Sequence, residues 1–504
     1  MAAAAGTNRG VITVSVMLAT IMQALDTTIA NVALPHMQGT LSATQDQMTW
    51  VLTSYIVAAA IMIPFTGWLA TRIDRKIVFL CSIAGFTIAS ALCGLAQSIS
   101  QMVLFRLLQG VSGAALVPLS QAILFDINPR EAHGRAMATW GIGVTLGPIL
   151  GPALGGWLTQ NYNWRWVFYI NLPIGILAFL GLLFYLPPRK DNRASPFDFF
   201  GFITLSAAIG ALQLVMDRGQ LLDWFSSTEI VAEAVVAGLA LYLFVIHMLT
   251  HEHPFINRAL FKDANFLASN VFIFVVGVVL FATLALLPPM LQNLMNYPVV
   301  TTGFVTAPRG IGTLLAMITV GRLIGRVDSR LLIGFGLVLT SAAAWQMTHF
   351  SLLMNSWPIV TSGMLQGFGV GFVYVPLSTV AFATLAERYR TEGTAFFNLL
   401  RNLGSSIGIS AVQTLLTRNT QALHESLASH ITPYAAALRP ELGAEMSSPA
   451  ALAALNGEVT RQAGMIAYID DFKLIMIMTL GLLPLLLLMR RGGGAGSESG
   501  AVID

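Results

Sequence analysis

Apolar stretches about as long as a membrane-spanning helix recur along this chain at regular intervals. Of its 504 residues, 55% are hydrophobic and 10% are charged, whereas soluble domains carry about 25% charged residues. Because a helix needs about 20 apolar residues to cross a bilayer, the recurrence favours a bundle of spanning helices over a series of soluble domains. The sequence therefore predicts an all-α polytopic membrane protein.

Fourteen such stretches can be counted, and we number them as spans 1 to 14. The last is the least regular, because Lys473 and Pro484 interrupt it. The predicted spans are Val11–Leu34, Met48–Ala70, Ile77–Ala96, Met102–Phe125, Ala136–Leu158, Val167–Leu186, Phe199–Met216, Ile230–Leu249, Phe266–Met290, Thr302–Ile324, Leu331–His349, Trp357–Leu385, Ala395–Leu416 and Ile466–Leu488.

Basic residues lie mainly on one side of this arrangement. With fourteen spans both termini share a side, and 18 of the 27 Lys and Arg residues fall on that side. Seven others, Arg309 among them, fall on or near the opposite side, while Arg106 and Arg401 lie within spans. The positive-inside rule therefore places both termini in the cytoplasm.

Two pairs of similar sequence segments indicate an internal repeat. Residues 67–74, after span 2, match residues 321–328, after span 10, at Gly, Leu, Arg and Asp. Residues 108–120 of span 4 share Leu-Gln-Gly and Val-Pro-Leu-Ser with residues 365–378 of span 12. The offset of eight spans implies two six-helix halves with spans 7 and 8 inserted between them, as in transporters that hold substrate between parallel halves.

The expected domain organisation follows from this repeat. The outer segment between spans 13 and 14 is longer than a simple connection needs, and loops of that length are usually functional or disordered. The Gly/Ser-rich end of the chain is typical of a flexible tail. The units are an N-terminal six-helix bundle at 1–196, two inserted helices with linkers at 197–265, a C-terminal six-helix bundle at 266–489 with the outer segment 417–464, and a cytoplasmic tail at 490–504.

Asp26 is the only charged residue of span 1. A charge at that depth costs about 2.5 to 3.5 kcal/mol on insertion scales, so such residues usually face a polar pathway or a partner. Asp26 is therefore the first functional candidate. The alternative is a protonated or hydrogen-bonded carboxyl that serves only helix packing.

Arg106 supplies an intramembrane base in span 4, whereas the matching region of span 12, around Gly363, carries no charge. At 1.5 Å per residue, Asp26 and Arg106 lie roughly 22 Å and 27 Å from the inner ends of their spans, so they can share a layer. A contact between them that changes as the halves rock would change the proton affinity of the carboxylate and couple transport to a proton gradient. The alternative is a fixed ion pair that only holds the first half together.

Glycine and proline recur in span 5. Gly147, Gly151 and Gly155 line one helical face, and Pro148 and Pro152 interrupt the run. Small residues at this spacing let helix backbones approach closely, and the prolines remove ladder hydrogen bonds and permit a kink. We expect a tight seam between the two halves that resists leakage of protons and ions.

These motifs together resemble the major facilitator superfamily. Residues 67–76 resemble its loop motif, residues 104–110 its span-4 proton-coupling motif, and residues 147–156 its antiporter motif. Residues 25–35 and 164–175 look like those of the fourteen-span drug:proton antiporters of the EmrB/QacA type. The resemblance covers nearly the whole chain and is closest to EmrB-like inner-membrane pumps of tripartite efflux systems.

The resemblance implies a major facilitator fold and proton-driven export of hydrophobic or amphipathic compounds, with the proton gradient as energy source and no cofactor. It places Asp26 and Arg106 in the proton-handling positions. The other candidate residues that it implies are Gly147, Gly151, Pro152, Gly155 and Gly156 of the antiporter motif and Gly67, Arg72, Asp74 and Arg75 of the loop motif.

Two departures from the family pattern matter. The loop motif usually has Asp where this chain has Thr71 and Gly where it has Asp74, so the usual charge relay is altered and Asp74 is the candidate substitute. Some family members also use acids in spans 10 and 13, and this chain has none there. We expect few proton sites, with Asp26 dominant. Without a second buried acid, neutral or weakly acidic lipophiles are expected as readily as cations.

The resemblance also implies partners and a location. It indicates a multi-pass protein of the bacterial inner membrane that works in the lipid bilayer on small lipophilic substrates and protons. For the long outer segment it implies a periplasmic adaptor of the EmrA type and an outer-membrane channel of the TolC type. No nucleic acid is expected as a partner.

The sequence gives less support to a metal site, to a membrane enzyme or sensor, and to an importer. His251 and His253 are spaced i, i+2 and do not share a helix face, so a metal site is not expected there. A membrane enzyme or sensor is disfavoured, because no nucleophile triad, metal cluster or phosphate loop is recognisable. An importer or facilitator on the same fold remains the alternative, and the direction of transport would distinguish it from an exporter.

Overall fold

The computed structural model describes residues 8–188, 197–431 and 449–489. The predicted tail at 490–504 lies outside these residues, as does the middle of the outer segment. Helices occupy all fourteen predicted span positions. In chain order the α-helices are α1 (Arg9–Thr40), α2 (Gln45–Arg72), α3 (Arg75–Leu95), α4 (Ile99–Gly113), α5 (Leu116–Ile127), α6 (His133–Asn161), α7 (Trp166–Tyr169), α8 (Asn171–Tyr185), α9 (Phe199–Arg218), α10 (Thr228–Thr250), α11 (Ala264–Pro289), α12 (Val299–Thr306), α13 (Pro308–Leu323), α14 (Ser329–Met347), α15 (Trp357–Ala383), α16 (Arg390–Ser429) and α17 (Pro449–Gly481).

Among the described residues, eleven helical segments are long and apolar enough to cross a membrane. The prediction of an all-α polytopic membrane protein is therefore confirmed. Spans 5, 13 and 14 lie in α6, α16 and α17, which are not among these eleven. Glycine in α6 and polar or charged residues in α16 and α17 dilute the apolar character of these helices. The count of fourteen crossings stays a prediction.

Helix packing repeats along the chain. In the first part α1 packs on α6, α2 on α4, and α3 on α4 and α8. In the second part α11 packs on α16, α13 on α15, and α14 on α15, which is the same pattern eight spans later. The inserted helices α9 and α10 pack on each other, and α9 also contacts α2 and α16.

The helices that follow the repeated segments 67–74 and 321–328 begin in the same way. Asp74 caps the N-terminus of α3 by accepting a hydrogen bond from the backbone N–H of Lys76 at 2.8 Å. Asp328 caps α14 in the same way, through the N–H of Arg330 at 3.0 Å. Each aspartate thus satisfies a backbone donor that the helix itself cannot pair. The repeated sequence therefore forms equivalent turns between helices in the two halves.

We call the end of the bundle at which α1 begins the inner end, and there the two halves are in contact. The ring centroids of Phe125, at the end of α5, and Phe382, at the end of α15, are 5.3 Å apart. Gly134 of α6 leaves no room for a side chain beside Ile324, because a Cβ placed there would lie 2.3 Å from the Ile324 Cγ2 atom. The packing of α6 on α13 and of α2 on α16 completes the closure of the inner end.

The opposite, outer end carries a helical extension that the sequence did not reveal. The segment 417–464 was expected to be a loop. Instead, α16 continues to Ser429 and α17 begins at Pro449. The His424 Nε2 and Asn456 Oδ1 atoms, 3.0 Å apart, join the two extensions. The loop prediction is therefore wrong for the described part of the segment, because polar helices that pack on each other do not need the apolar pattern of a span.

Glu392 lies in the inner contact, before the predicted span 13. The Cβ that an alanine would add at Gly67 of α2 would be 3.3 Å from the Glu392 Cα. The Glu392 carboxylate accepts a hydrogen bond from the backbone N–H of Asn257. Burial raises the pKa of this carboxyl from 4.5 to about 7, and the bond from Asn257 offsets part of that increase. A single carboxyl thus joins α16 to the linker after α10.

We predict that Glu392 makes the folded protein less stable as pH rises from about 4.5 to about 7. Its pKa is higher in the folded than in the unfolded chain, so the folded state binds more protons within that window and loses this advantage above it. Glu392→Gln should leave the melting temperature at pH 4 unchanged and raise it at pH 8. Melting curves of the purified protein would show this. The exposed Glu252→Gln is the control, and equal pH profiles for Glu392→Gln and wild type would contradict the prediction.

Candidate functional site

The carboxylate of Asp26 is fully buried in the first half of the bundle. Asp26 lies in α1, and the surrounding side chains come from α2, α4 and α8. The Asp26 Oδ2 atom accepts a hydrogen bond from Arg106 Nη1 at 2.6 Å. The Oδ1 atom accepts two more, from Gln109 Nε2 at 2.9 Å and Asn171 Nδ2 at 3.0 Å. These are N–H donors only, which suits an ionised carboxylate that can only accept hydrogen bonds.

Arg106 is itself held in place on several sides. Its Nε donates to the backbone carbonyl of Val51 at 2.9 Å, and its Nη1 also donates to Gln109 Oε1 at 2.8 Å. The guanidinium carbon lies 4.6 Å from the ring centroid of Tyr55 and 5.7 Å from that of Phe168. The side chain is 1% exposed. Cation–π contacts and a carbonyl therefore complete the environment of a cation that is removed from water.

The two amide side chains extend the site to α3 and α8. Asn171 is the first residue of α8, and its Nδ2 also donates to Ser90 Oγ at 3.0 Å. Ser90 in turn donates to the carbonyl of Phe168 at 2.9 Å. The sequence motifs at 104–110 and 164–175 contained Gln109 and Asn171, but no role was predicted for either residue. Amides buried within apolar spans were the signal that could have identified them.

A neutral counterpart of this site lies in the second half. The Gln366 Nε2 atom donates to Thr283 Oγ1 at 2.9 Å. Gln366 follows Gln109 by 257 positions, and Thr283 follows Asp26 by the same number. Gly363 stands where the first half has Arg106. The structure therefore pairs equivalent positions in both halves, and places the acid and its arginine in the first half.

The structure shows that Arg309 is buried, which the count of charged residues on each side did not predict. Its position was assigned on or near the outer side, but its side chain is 7% exposed within α13. The Nη2 atom donates to the Leu280 carbonyl of α11 at 3.1 Å. The Arg309 Cβ would be 3.7 Å from a Cβ built at Gly363. A buried arginine is thus present in the second half after all, carried by α13 instead of α15.

Asp471 contradicts the expectation that the chain has no second buried acid. It lies in α17 and is 1% exposed, although it neighbours the solvent-facing pair of Asp470 and Lys473. From the sequence, Lys473 and Pro484 were seen only to interrupt span 14, and no role was predicted for Asp471. Helix phase places Asp471 on the packed side, one residue away from Asp470.

The glycine motif of α6 does not form the seam that we expected. A Cβ at Gly147 would lie 2.5 Å from Ala24 of α1, and one at Gly151 would lie 2.1 Å from Thr28 Oγ1. The Thr28 hydroxyl also donates to the Gly147 carbonyl at 3.2 Å. The close contact is therefore within the first half, against the helix that carries Asp26. Gly155 is buried, whereas Gly156 faces open space, and Pro152 lies in the same helix.

The loop motif joins α2, α3 and α5. Arg75 is buried and forms an ion pair with Asp126 at the end of α5. Arg72 remains exposed, with its guanidinium carbon 5.6 Å from the centroid of Trp68. Gly67 packs against the backbone of α16, and Asp74 is the cap of α3. Asp74 therefore serves the helix start, while Asp126 is the carboxylate that pairs with the motif.

The inserted helices bring together three side chains that were not expected to meet. The ligand atoms of Asp198, His247 and His251 all lie within 4.8 Å of one another. His247 Nε2 lies 2.9 Å from each Asp198 oxygen, and the same carboxylate accepts the N–H groups of Gly201 and Phe255 at 2.9 Å. The carboxylate is thus engaged as a helix cap and a tether between α9 and α10. His247 and His251 share a helix face because they are spaced i, i+4, whereas the sequence prediction paired His251 with His253.

Comparison with known proteins identifies the family. Residues 16–409 match the Major Facilitator Superfamily. The chain belongs to this superfamily. The fatty acid resistance protein FarB of Neisseria gonorrhoeae is 36% identical over 494 residues, which cover 96% of this chain and 97% of FarB. The multidrug export protein EmrB of Escherichia coli K12 is 34% identical over 496 residues, covering 97% of each chain. The predicted resemblance to EmrB-type members of the superfamily is therefore confirmed.

Solved structures of the superfamily show the same fold. The human organic anion transporter MFSD10 superposes with a TM-score of 0.59 at 15% identity, covering 94% of this chain and 99% of that one. A bacterial homologue of the lysosomal transporter Spinster gives a TM-score of 0.56 at 19% identity, covering 97% of this chain and 99% of that one. At these identities the likeness concerns the fold alone, and it agrees with the major facilitator fold predicted from the sequence.

We predict that Arg106→Gln destabilises the protein more than Asp26→Asn combined with Arg106→Gln does. The single change leaves the buried Asp26 without its cation, which costs about 3–5 kcal/mol, whereas the double change leaves no charge at this site. Unfolding of the purified protein in detergent measures both. Lys473→Gln, which breaks an exposed pair with Asp470, is the control and should cost about 1 kcal/mol or less. A double variant no more stable than Arg106→Gln would show that the Asp26 charge does not depend on Arg106.

Proposed function

We propose that this protein is a proton-coupled antiporter that exports hydrophobic or amphipathic compounds by alternating access. Two relatives that align over nearly the full chain are named for multidrug export and for fatty acid resistance. The fold and the family support a transporter. The observation that carries proton coupling is the buried Asp26 carboxylate, which Arg106, Gln109 and Asn171 bind at 2.6 to 3.0 Å.

Protonation of Asp26 changes what these donors can do. A neutral carboxyl no longer attracts the guanidinium of Arg106 as an anion does, and its proton must itself find an acceptor. The contacts from α4 and α8 to α1 would then weaken together. Since α1 also packs closely on α6 through Gly147 and Gly151, a shift of α1 is passed to the helix that contacts α13 of the other half. Proton binding can thereby favour one arrangement of the halves over the other.

The closed inner end indicates from which side the proton and substrate sites are reached in this conformation. Gln23, Thr27 and Asn31 are spaced i, i+4, i+8 along α1, and Thr27 and Asn31 are exposed. Polar side chains within a membrane span usually face a water-filled pathway and not lipid. We propose that this face of α1 lines a path from the outer end, and Gln23, three residues before Asp26, lies next to Asp26 on the helix surface.

The domain organisation, the side of the membrane on which the termini lie and the cellular location are part of the same proposal. The units are the two six-helix bundles at 1–196 and 266–489, with the inserted pair at 197–265 between them and the tail at 490–504. The excess of basic residues on the N-terminal side supports cytoplasmic termini. The relatives and the composition support residence in the bacterial inner membrane.

Asp26→Asn should abolish uphill export and substrate-driven proton release, because the side chain can no longer gain and lose a proton. Dye efflux from cells and proton release from inverted vesicles measure the two quantities in parallel. We expect both to fall to the level of membranes without the transporter, while substrate binding persists. The exposed Asp223→Asn is the matched control and should behave like wild type.

Two outcomes would contradict this proposal. Undiminished uphill export with an unchanged proton signal in Asp26→Asn would make Asp26 a structural residue. Substrate movement in the inward direction, driven by the same gradient in wild-type vesicles, would identify an importer on the same fold.

We further propose that the extensions of α16 and α17 bind a periplasmic adaptor, which connects the transporter to an outer-membrane channel. The extensions are joined through His424 and Asn456 and carry Leu452 with 51% of its surface exposed. The hairpin extends past the predicted spans at the outer end, so it is placed to contact a protein outside the membrane.

Leu452→Asp should reduce co-purification of the adaptor and leave transport in isolated vesicles unchanged, because it places a charge in the contact but lies far from Asp26. Leu353→Asp is the matched control: it is 95% exposed in the connection between α14 and α15 at the same end. Adaptor recovery that is equal in both variants would argue against the hairpin as the binding surface.

A further inference from the structure

A buried polar cluster joins the two halves near the centre of the bundle. The Gln121 side chain of α5 donates through Nε2 to the hydroxyl of Tyr374 in α15 at 3.3 Å. Asn398 of α16 donates through Nδ2 to Gln121 Oε1 at 2.7 Å. Gln121, Tyr374 and Asn398 are 0%, 7% and 1% exposed. The cluster thus includes residues from both sides of the contact that must rearrange during alternating access.

Aromatic packing fixes the position of the Tyr374 hydroxyl. The rings of Tyr374 and Trp140 of α6 are nearly parallel, with centroids 6.1 Å apart and an angle of 15°. Trp140 is anchored by a hydrogen bond from its Nε1 to Ser120 Oγ at 2.7 Å. The phenol is therefore presented by the second half but oriented by the first.

Arg401 of α16 completes the cluster and brings a charge that the described residues do not balance. Its Nη1 donates to the Tyr374 hydroxyl at 3.2 Å. Its Nε is buried and has no hydrogen-bond partner in the described part of the chain. No acidic side chain of that part forms an ion pair with Arg401, in contrast to Arg106 and Asp26. A cation within a span normally has an anionic partner or lines a pathway, because leaving it alone is costly.

The Arg401 side chain is only partly buried, so it can be reached from outside the protein core. Asn402 and Ser405 of the same helix are also partly exposed. Polar residues of this kind on a spanning helix usually face water or a ligand and not lipid. Arg309, another arginine of the second half that forms no ion pair within the described residues, differs in this respect: it is 7% exposed and packs between α11 and α15 inside that half.

We propose that Arg401, together with the Tyr374 hydroxyl, binds the carboxylate of an amphipathic acid at the contact between the halves. A guanidinium presents paired N–H donors that match a carboxylate. The Tyr374 oxygen accepts from Arg401 and Gln121, so its own proton is available for a carboxylate oxygen. The anion of the substrate supplies the negative charge that the described chain does not place beside Arg401.

This inference rests on the proposed export function and specifies the substrate class. Asp26 in the first half handles the proton, and Arg401 in the second half binds the anionic head group. Since the residues around Arg401 come from both halves, rocking of the halves would change the contacts of the bound carboxylate. A substrate anion and a proton would then be bound at separate places in the same molecule.

Binding of dodecanoate and of dodecan-1-ol to the full chain in lipid nanodiscs tests the proposal. The two probes share the same chain length and differ in the carboxylate, and empty nanodiscs give the lipid baseline. Arg401→Gln should weaken dodecanoate binding roughly tenfold or more and leave dodecanol binding unchanged. Arg401→Lys keeps the charge without the planar donors and should give an intermediate loss. Tyr374→Phe should weaken dodecanoate binding several-fold.

Arg309→Gln is the matched control, because it removes a buried arginine of the second half that also forms no ion pair in the described part of the chain. It should leave the preference for dodecanoate over dodecanol unchanged. A melting curve for each variant separates loss of binding from loss of folding, and Arg401→Lys provides the test if Arg401→Gln does not fold.

Three outcomes would overturn the proposal: unchanged dodecanoate affinity in Arg401→Gln, an equal loss for both probes, or transfer of the effect to Arg309→Gln. Failure of the export function would be seen separately, in the transport of Asp26→Asn.

Discussion

The ion pair between Asp26 and Arg106 is the constraint on which the first half depends. A carboxylate and a guanidinium removed from water are tolerated only when each satisfies the other and the remaining donors find acceptors. Here the carboxylate receives donors from α4 and α8, and the guanidinium also reaches a carbonyl of α2. Four helices are thereby tied to one charge. A motion of α1 relative to α4 and α8 must break these bonds, and in the proposed mechanism protonation of Asp26 lowers the cost of doing so.

The second half shows the same fold with the charges arranged differently. At the positions of Asp26 and Gln109 it has Thr283 and Gln366, joined by a neutral hydrogen bond. Well inside its helices it contains Arg309 and Arg401, for which the described chain supplies no ion pair, and Asp471 buried in α17. The repeat thus preserves helix packing. In the first half the buried acid and arginine form an ion pair, whereas in the second half Arg309 and Arg401 form none within the described residues. This asymmetry is consistent with a division between proton handling and substrate binding.

Much of the architecture was predictable from apolar runs, because a chain in lipid must satisfy its backbone within each helix. The repeat of 67–74 at 321–328 and the depths of Asp26 and Arg106 also followed from residue spacing. The partner of the glycine face in α6 did not, since spacing shows which residues are small but not which helix approaches them. For the same reason, Asp471 could not be distinguished from its exposed neighbour Asp470. The helical extensions between spans 13 and 14 were missed because they lack an apolar pattern.

The sequence by itself determined that the chain forms a bundle of apolar helices, that the bundle is built from a repeat, and that one acid lies deep within the first span. These properties depend on local composition and periodicity. Only the tertiary structure decided that Gln109 and Asn171 share the carboxylate of Asp26, that α6 closes on α1, and that Arg401 reaches Tyr374 beside Gln121 of the opposite half. Such contacts join residues far apart in the chain, and they depend on how helix faces fit together and not on the pattern within any one helix.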